Sequence, residues 1–187
     1  MEFAATAQLL DGRVASLRRL SADDAKAVIT LHQHLTDHDR YYRFFTLRPV
    51  HLDQLVSKLI EPAHGQYALG AFDGDRLIGV ANYMVVCDNP REAEIAIVVA
   101  HEDHSLGLGT AMLKHLAQIA RAHGIGRFVA DVMTENHLML MVLSDLGWRC
   151  KPLDYGAVRH LEIELPDSLT EAPTAANEIS PQGVRNV

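Results

Sequence analysis

The stretch Ala93-Glu-Ile-Ala-Ile-Val-Val-Ala100, His101-Glu-Asp-His-Ser-Leu-Gly-Leu-Gly-Thr110, Ala111-Met-Leu-Lys-His-Leu-Ala-Gln-Ile-Ala120 decides how this chain folds. Residues 95–100 are short, rich in Ile and Val and without polar alternation, which predicts a buried strand. His101 to Ser105 is too polar to continue it. Apolar residues at 112, 113, 116, 119 and 120 then follow helical spacing. The order is strand, glycine turn, helix. Such a turn leaves the first helical N–H groups unpaired, and glycines without Cβ let an anion come close to the backbone, so the element suits a phosphate.

Downstream, Gly124-Ile-Gly126 ends the helix and residues 127–133 predict the next strand, making a βαβ crossover. Residues 136–146 predict a helix stopped by Gly147, and 148–151 with 157–165 a last pair of strands. Upstream, residues 66–72 and 76–86 predict a hairpin through Asp73-Gly-Asp75. Asn89-Pro90-Arg91 marks a loop, so the central strand is expected from about Ala93. Residues 12–19 alternate as a strand. Ser21 and Asp24 then form a helix start, with apolar positions at 25, 28, 29, 31 and 35. Residues 37–45 predict a second helix carrying the aromatic patch Tyr41, Tyr42, Phe44 and Phe45 and closed by Pro49, and 51–60 a third. From Pro166 onward periodicity stops. The expected layout is one domain over 1–165 with a tail over 166–187, of the α+β (mixed α/β) class around one sheet.

The 187 residues suffice for one domain with a substantial core. A composition 48% hydrophobic and 22% charged, with no apolar run near the length of a membrane span, excludes disordered and helical membrane classes. Met1-Glu-Phe-Ala-Ala-Thr carries no secretory pattern, and Cys87 and Cys150 form no closely spaced motif, so reduced thiols and a cytoplasmic location are expected. A net charge of −7 argues against nucleic acid and leans toward cationic partners such as amines.

With these elements placed, the chain resembles the GNAT superfamily of acetyl-CoA-dependent N-acetyltransferases over about residues 13–165. That family's pyrophosphate motif is Gln or Arg, two residues, Gly, one residue, then Gly or Ala; here it reads His104-Ser-Leu-Gly107-Leu-Gly109. The family's later Asn, followed at a fixed spacing by Gly and an aromatic, is matched by Asn136 with Gly147-Trp148. Arg18 to Asp24 together with Tyr41-Tyr-Arg-Phe-Phe45 is similar to the catalytic domain of bacterial protein lysine acetyltransferases. The resemblance implies a central, mixed, mostly antiparallel twisted sheet of about six to seven strands, splayed at its centre and flanked by about four to five helices.

It also implies roles. Ile97, Val98 and Val99 would meet the pantetheine arm of acetyl-CoA or coenzyme A, and Ser105, Leu106, Gly107, Leu108, Gly109 and Thr110 its pyrophosphate. His104 stands in place of Gln or Arg and keeps a donor without a fixed charge. Asn136 is expected to cap its helix and touch the cofactor. Glu94 is the expected general base, its apolar neighbours Ala96 and Val98 raising its pKa, with Glu92 as fallback and a salt-bridged role as the rival reading. A backbone N–H near Val99 would stabilise the oxyanion. Where many members have a Tyr to protonate the departing thiolate, this chain has Leu143; Tyr83 and Tyr155 are the candidate substitutes. The implied activity is acetyl transfer to a primary amine: a protein lysine, or a polyamine or other small amine. A non-catalytic acetyl-CoA sensor is the competing class, and a homodimer is an open expectation.

Other readings compete. Gly107-Leu-Gly109 with Asp131 evokes a dinucleotide fingerprint, but Met112 fills its third glycine position. His32, His34 and His38 are expected on a solvated face, and His101 with His104 is not expected to bind metal, so no metal cofactor is assigned. The aromatic patch at 41–45 is most simply read as core, although the resemblance implies that this region borders the acceptor pocket.

Overall fold

The structure is a computed structural model and describes residues 4–46, 51–153 and 156–166. Its strands are β1 (Ala5–Gln8), β2 (Val14–Arg19), β3 (Gln66–Asp73), β4 (Arg76–Val86), β5 (Asn89–Val99), β6 (Arg127–Met133), β7 (Cys150–Pro152) and β8 (Val158–Glu164). They form one sheet in the order β1-β2-β3-β4-β5-β6-β8-β7. Neighbours are antiparallel except β5 and β6, which run parallel because a helix crosses between them. The helices are α1 (Ala25–Gln33), α2 (Asp37–Phe44), α3 (Leu52–Ile60), α4 (Leu108–Ala122) and α5 (His137–Leu146).

Two cores sandwich the sheet. On one face α4 buries Leu108, Met112, Leu113, Leu116 and Ile119 against Ile78, Ile95, Phe128 and Ile163. Each such side chain contributes roughly 1.5–3 kcal/mol of burial, so the α4 stripe read from the sequence is a main anchor of the crossover. On the other face Val28 and Leu31 of α1 and Val56 and Leu59 of α3 cover Phe72, Val80 and Val98. Strand alternation sends Ala93 and Ile95 to the first core, and Glu94, Ala96 and Val98 to the opposite face.

The β5–β6 ladder is short: Glu92↔Arg127, Ala93↔Phe128 and Glu94↔Val129. The β4–β5 ladder continues to Gly79↔Val99. From Ile95 onward, therefore, β5 is paired on one side only, and the sheet splays at its centre.

Three expectations change. Asn89, Pro90 and Arg91 lie within β5 rather than in a loop, because the chain reverses at Cys87-Asp88 and Val86 pairs with Asn89; a strand-terminal Pro costs no ladder bond where pairing is irregular. Strand β1 was not anticipated, since its four residues bury only Ala7 and carry almost no alternation signal. His32 is buried at 3% exposure, not solvated, and its Nδ1 faces the Val28 carbonyl at 2.8 Å. The tail beyond Pro166, Pro49 and Tyr155 lie outside the described residues.

Candidate acetyl-donor site

A cavity of about 600 Å³ opens where β5 and β6 part. Its walls bring together Glu94, Ile97, Val98, Val99, His104, Ser105, Gly107, Leu108, Gly109, Thr110 and Asn136, residues that the sequence placed on four different elements. Leu106 is the exception: it packs against the core, and its carbonyl accepts from Leu10 N at 3.1 Å.

The turn is built by backbone geometry. Ser105 and Gly107 hold positive φ, 60° and 80°, so the chain folds back on itself before α4 begins. Among the described residues no N–H from Ser105 to Thr110 has a hydrogen-bond partner, and the first helical bond runs from Ala111 N to Gly107 O at 3.1 Å. These unpaired amides lie at the N-terminus of a 15-residue helix, where dipole and donors both favour an anion. That donor set fits a pyrophosphate.

Asp103, 1% exposed, fixes the turn from beneath. Arg13 Nη2 donates to its Oδ1 at 2.8 Å, and Arg76 Nη1 lies 3.0 Å from its Oδ2. Arg13 also donates to Asp73 at 2.7 Å, and this bond, followed by those to Asp103 and Asp11, raises the guanidinium pKa. Two hairpins, β1–β2 and β3–β4, are thus tied to the segment that presents the amides. His104 faces inward: its Nε2 lies 3.0 Å from the Val99 carbonyl, so the ring braces the turn against β5.

Ala100 N donates to Ile78 O on β4. By strand alternation the N–H groups of Ile97 and Val99 point the other way, into the gap left by β6. They are suited to an extended amide chain and to a developing oxyanion.

Glu94 is the last residue of the β5–β6 ladder and lines the cavity; Glu92 does not, and is tied to Arg127 at 3.4 Å. The apolar enclosure expected from Ala96 and Val98 is absent, since the Glu94 side chain is exposed. Tyr83 is 2% exposed and hydrogen-bonds His123 Nδ1 at 2.6 Å beneath α4, away from the cavity; burial pushes its pKa up to about 12. It is not placed to protonate a thiolate. Leu143 is core, at 5% exposure. Asn136 Oδ1 accepts from Met139 N at 3.1 Å, so it caps α5 while lining the cavity.

The aromatic patch is mostly wall, with Phe44 also packed against the second core. No residue of α2 is buried, and Tyr42, Arg43, Phe44 and Phe45 face the cavity. Asp39 of α2, missed in the sequence, lies with His101 and His104 so that one ligand atom from each falls within 4.8 Å of the others. Asp39 Oδ2 accepts from Thr36 Oγ1 at 2.6 Å, and His101 Nδ1 lies 3.1 Å from it. A cation bound between the three would require His104 Nε2 to leave the Val99 carbonyl.

A model of the acetyltransferase (GNAT) family matches residues 29–148. An acetyltransferase of Pseudomonas aeruginosa is 27% identical over 143 residues, covering 74% of this chain and 76% of that protein. The GNAT domain of PAT from S. lividans superposes with a TM-score of 0.78 at 29% identity, over 87% of this chain and 97% of that domain. The spermidine N-acetyltransferase of Vibrio cholerae, solved with CoA and spermine, shares the fold at 17% identity and a TM-score of 0.64, over 81% of this chain and 95% of that one. Splayed strands, an amide-lined turn and the family match agree: the chain belongs to the GNAT family and is an acetyl-CoA-dependent N-acetyltransferase.

Proposed function

We propose that the protein transfers the acetyl group of acetyl-CoA directly to a primary amine, with Glu94 as the general base and a protein lysine as acceptor. The observation that carries this reading is the position of Glu94, at the point where β5 and β6 separate and on the wall of the cavity that begins at the pyrophosphate turn.

Ser105 to Thr110 hold the pyrophosphate through backbone amides, and the Ile97 to Val99 backbone pairs with the pantetheine arm. An alkylammonium with a pKa near 10 has no lone pair, so its proton must leave before attack. Glu94 attracts the ammonium and takes that proton directly or through a water, and its exposure makes the water relay natural. The amine nitrogen then bonds to the acetyl carbon, the Val99 N–H stabilises the oxyanion, the C–S bond breaks, and the surplus proton on the new amide nitrogen is lost to the departing thiolate or to water. Coenzyme A leaves as thiolate, a tolerable leaving group, so the core position of Leu143 does not block the reaction.

The protein-lysine reading is supported by Tyr41 to Phe45, the segment similar to bacterial protein lysine acetyltransferases, of which Tyr42 to Phe45 line the cavity. Thiol release from acetyl-CoA, measured with lysine peptides, polyamines and small amines, tests the proposal. Turnover with peptides above that with free amines is expected. Binding of acetyl-CoA without thiol release from any amine would assign the fold a sensing role instead.

A further inference from the structure

Arg43 is used by nothing in the mechanism above, yet it stands in the same cavity. Among the described residues it is the only Lys or Arg on the wall. Its Nη2 donates to Asn82 Oδ1 at 3.3 Å, a long bond to a neutral acceptor. Its Nε is shielded from solvent and has no partner among the described residues. Burial lowers its pKa to about 10, opposed by the charge of Glu94, and among the described residues no carboxylate comes within the 4.0 Å of an ion pair. Of the other acids of the wall, Asp103 is engaged by Arg13 and Arg76, Asp131 by His160, and Asp39 by Thr36 and His101, while Asp145 is exposed on α5.

A half-buried guanidinium whose Nε is shielded from water and unpartnered among the described residues carries a desolvation cost, and a bound anion offsets that cost. The cavity therefore presents two opposite charges that do not touch: Glu94, beside the parted strands, and Arg43, on α2. The Phe44 ring lies beside the guanidinium, 5.1 Å from its Cζ, and Phe45 adds to the apolar lining of the same cavity. A planar fork of donors matches a carboxylate.

We propose that Arg43 is an acceptor-specificity residue: it binds a carboxylate carried by the acceptor molecule, so that the preferred acceptor is a primary amine with a carboxylate a few bonds away. This rests on the acetyl-transfer reading and narrows its substrate. The carboxylate belongs to a free amino acid or to an acidic residue beside the target lysine, and the test has an arm for each.

In the first arm, 4-aminobutanoate, 5-aminopentanoate and 6-aminohexanoate are each compared with the matching amide, which keeps the amine and removes the charge. In the second, lysine peptides with a neighbouring Glu are compared with the Gln versions. The acid is expected to exceed its amide in kcat/KM by about 10- to 100-fold in at least one arm, mainly through KM. Arg43→Gln should bring that ratio toward one, and Arg43→Lys should retain part of it. Retained coenzyme A affinity checks that each variant is folded. Amines turned over with an acid-to-amide ratio near one in both arms overturn the proposal, as does a high ratio that survives Arg43→Gln. Absence of thiol release with every compound overturns acetyl transfer itself, and this inference with it.

Discussion

Gly107 and Gly109 stand two positions apart in one motif and are required for different reasons. At Gly107 a Cβ would meet only open space and Leu10 Cγ at 3.9 Å, but φ is +80°. At Gly109 the backbone is ordinary, and a Cβ would lie 3.3 Å from Val142 Cγ2 on α5. Gly107→Ala is thus expected to cost about 1–2 kcal/mol of backbone strain and weaken coenzyme A binding. Gly109→Ala acts by pushing α4 from α5, so Val142→Ala should recover part of its loss and none of that at Gly107; calorimetric coenzyme A affinities of the single and double variants check this, and equal recovery at both sites would contradict it. His32 makes a second residue-scale prediction. Burial lowers its pKa from 6.5 to about 4, so between those values the unfolded chain binds a proton that the folded one does not. Stability is fully present above pH 6.5 and falls as pH drops toward 4, by roughly 3 kcal/mol from this group. Denaturant melts of His32→Leu should show a shallower loss over that window, and an unchanged slope would assign the acid sensitivity elsewhere.

Among elements, the turn before α4 owes its shape to partners far away in sequence. Asp103 joins it to Arg13 and Arg76, each on a different hairpin. Asp103→Asn keeps the volume and removes the charge that the two guanidinium groups share. It is expected to cost about 1–3 kcal/mol, discounted because both arginines are partly exposed, and to weaken coenzyme A about 10-fold by loosening the amides. Calorimetry with coenzyme A and a thermal melt measure both effects; an affinity within twofold of wild type would mean that the turn holds its shape without the clamp. The strand, turn and helix over 95–120 were legible in the sequence because burial on both strand faces and a helical stripe leave strong periodic signals. Strand β1 was not legible, because it is short and mostly exposed. Pro90 misled because proline marks loops, whereas here it sits in the irregular first pairs of β5. For α2 the pattern of aromatics suggested core, and only the parted strands beside it turn that patch into a cavity wall.

On the scale of the whole molecule, the sheet brings a backbone anion site and a carboxylate together at one opening. The turn that would hold the cofactor was readable as a strand, glycine turn and helix, since its form depends on glycine spacing and unpaired amides. The acceptor half was read less well. Glu94 was singled out by its position on the central strand, but its exposure at the last pair of the β5–β6 ladder leaves no trace in the local sequence. Arg43 and Asp39 reach the cavity from α2, about fifty residues before the strand they face, so no spacing rule connects them. The central claim is that Glu94 takes the amine proton, and it makes a signed prediction. The need for a base is greatest where the amine is charged and disappears as pH approaches the amine pKa near 10. The most direct test is therefore thiol release by wild type and Glu94→Gln, with saturating acetyl-CoA, from near-neutral pH upward. The variant should bind coenzyme A as wild type does, turn over about 10²-fold more slowly near neutrality, and close that gap as pH nears 10; equal turnover near neutrality, or a gap of constant size at every pH, would contradict Glu94 as the base.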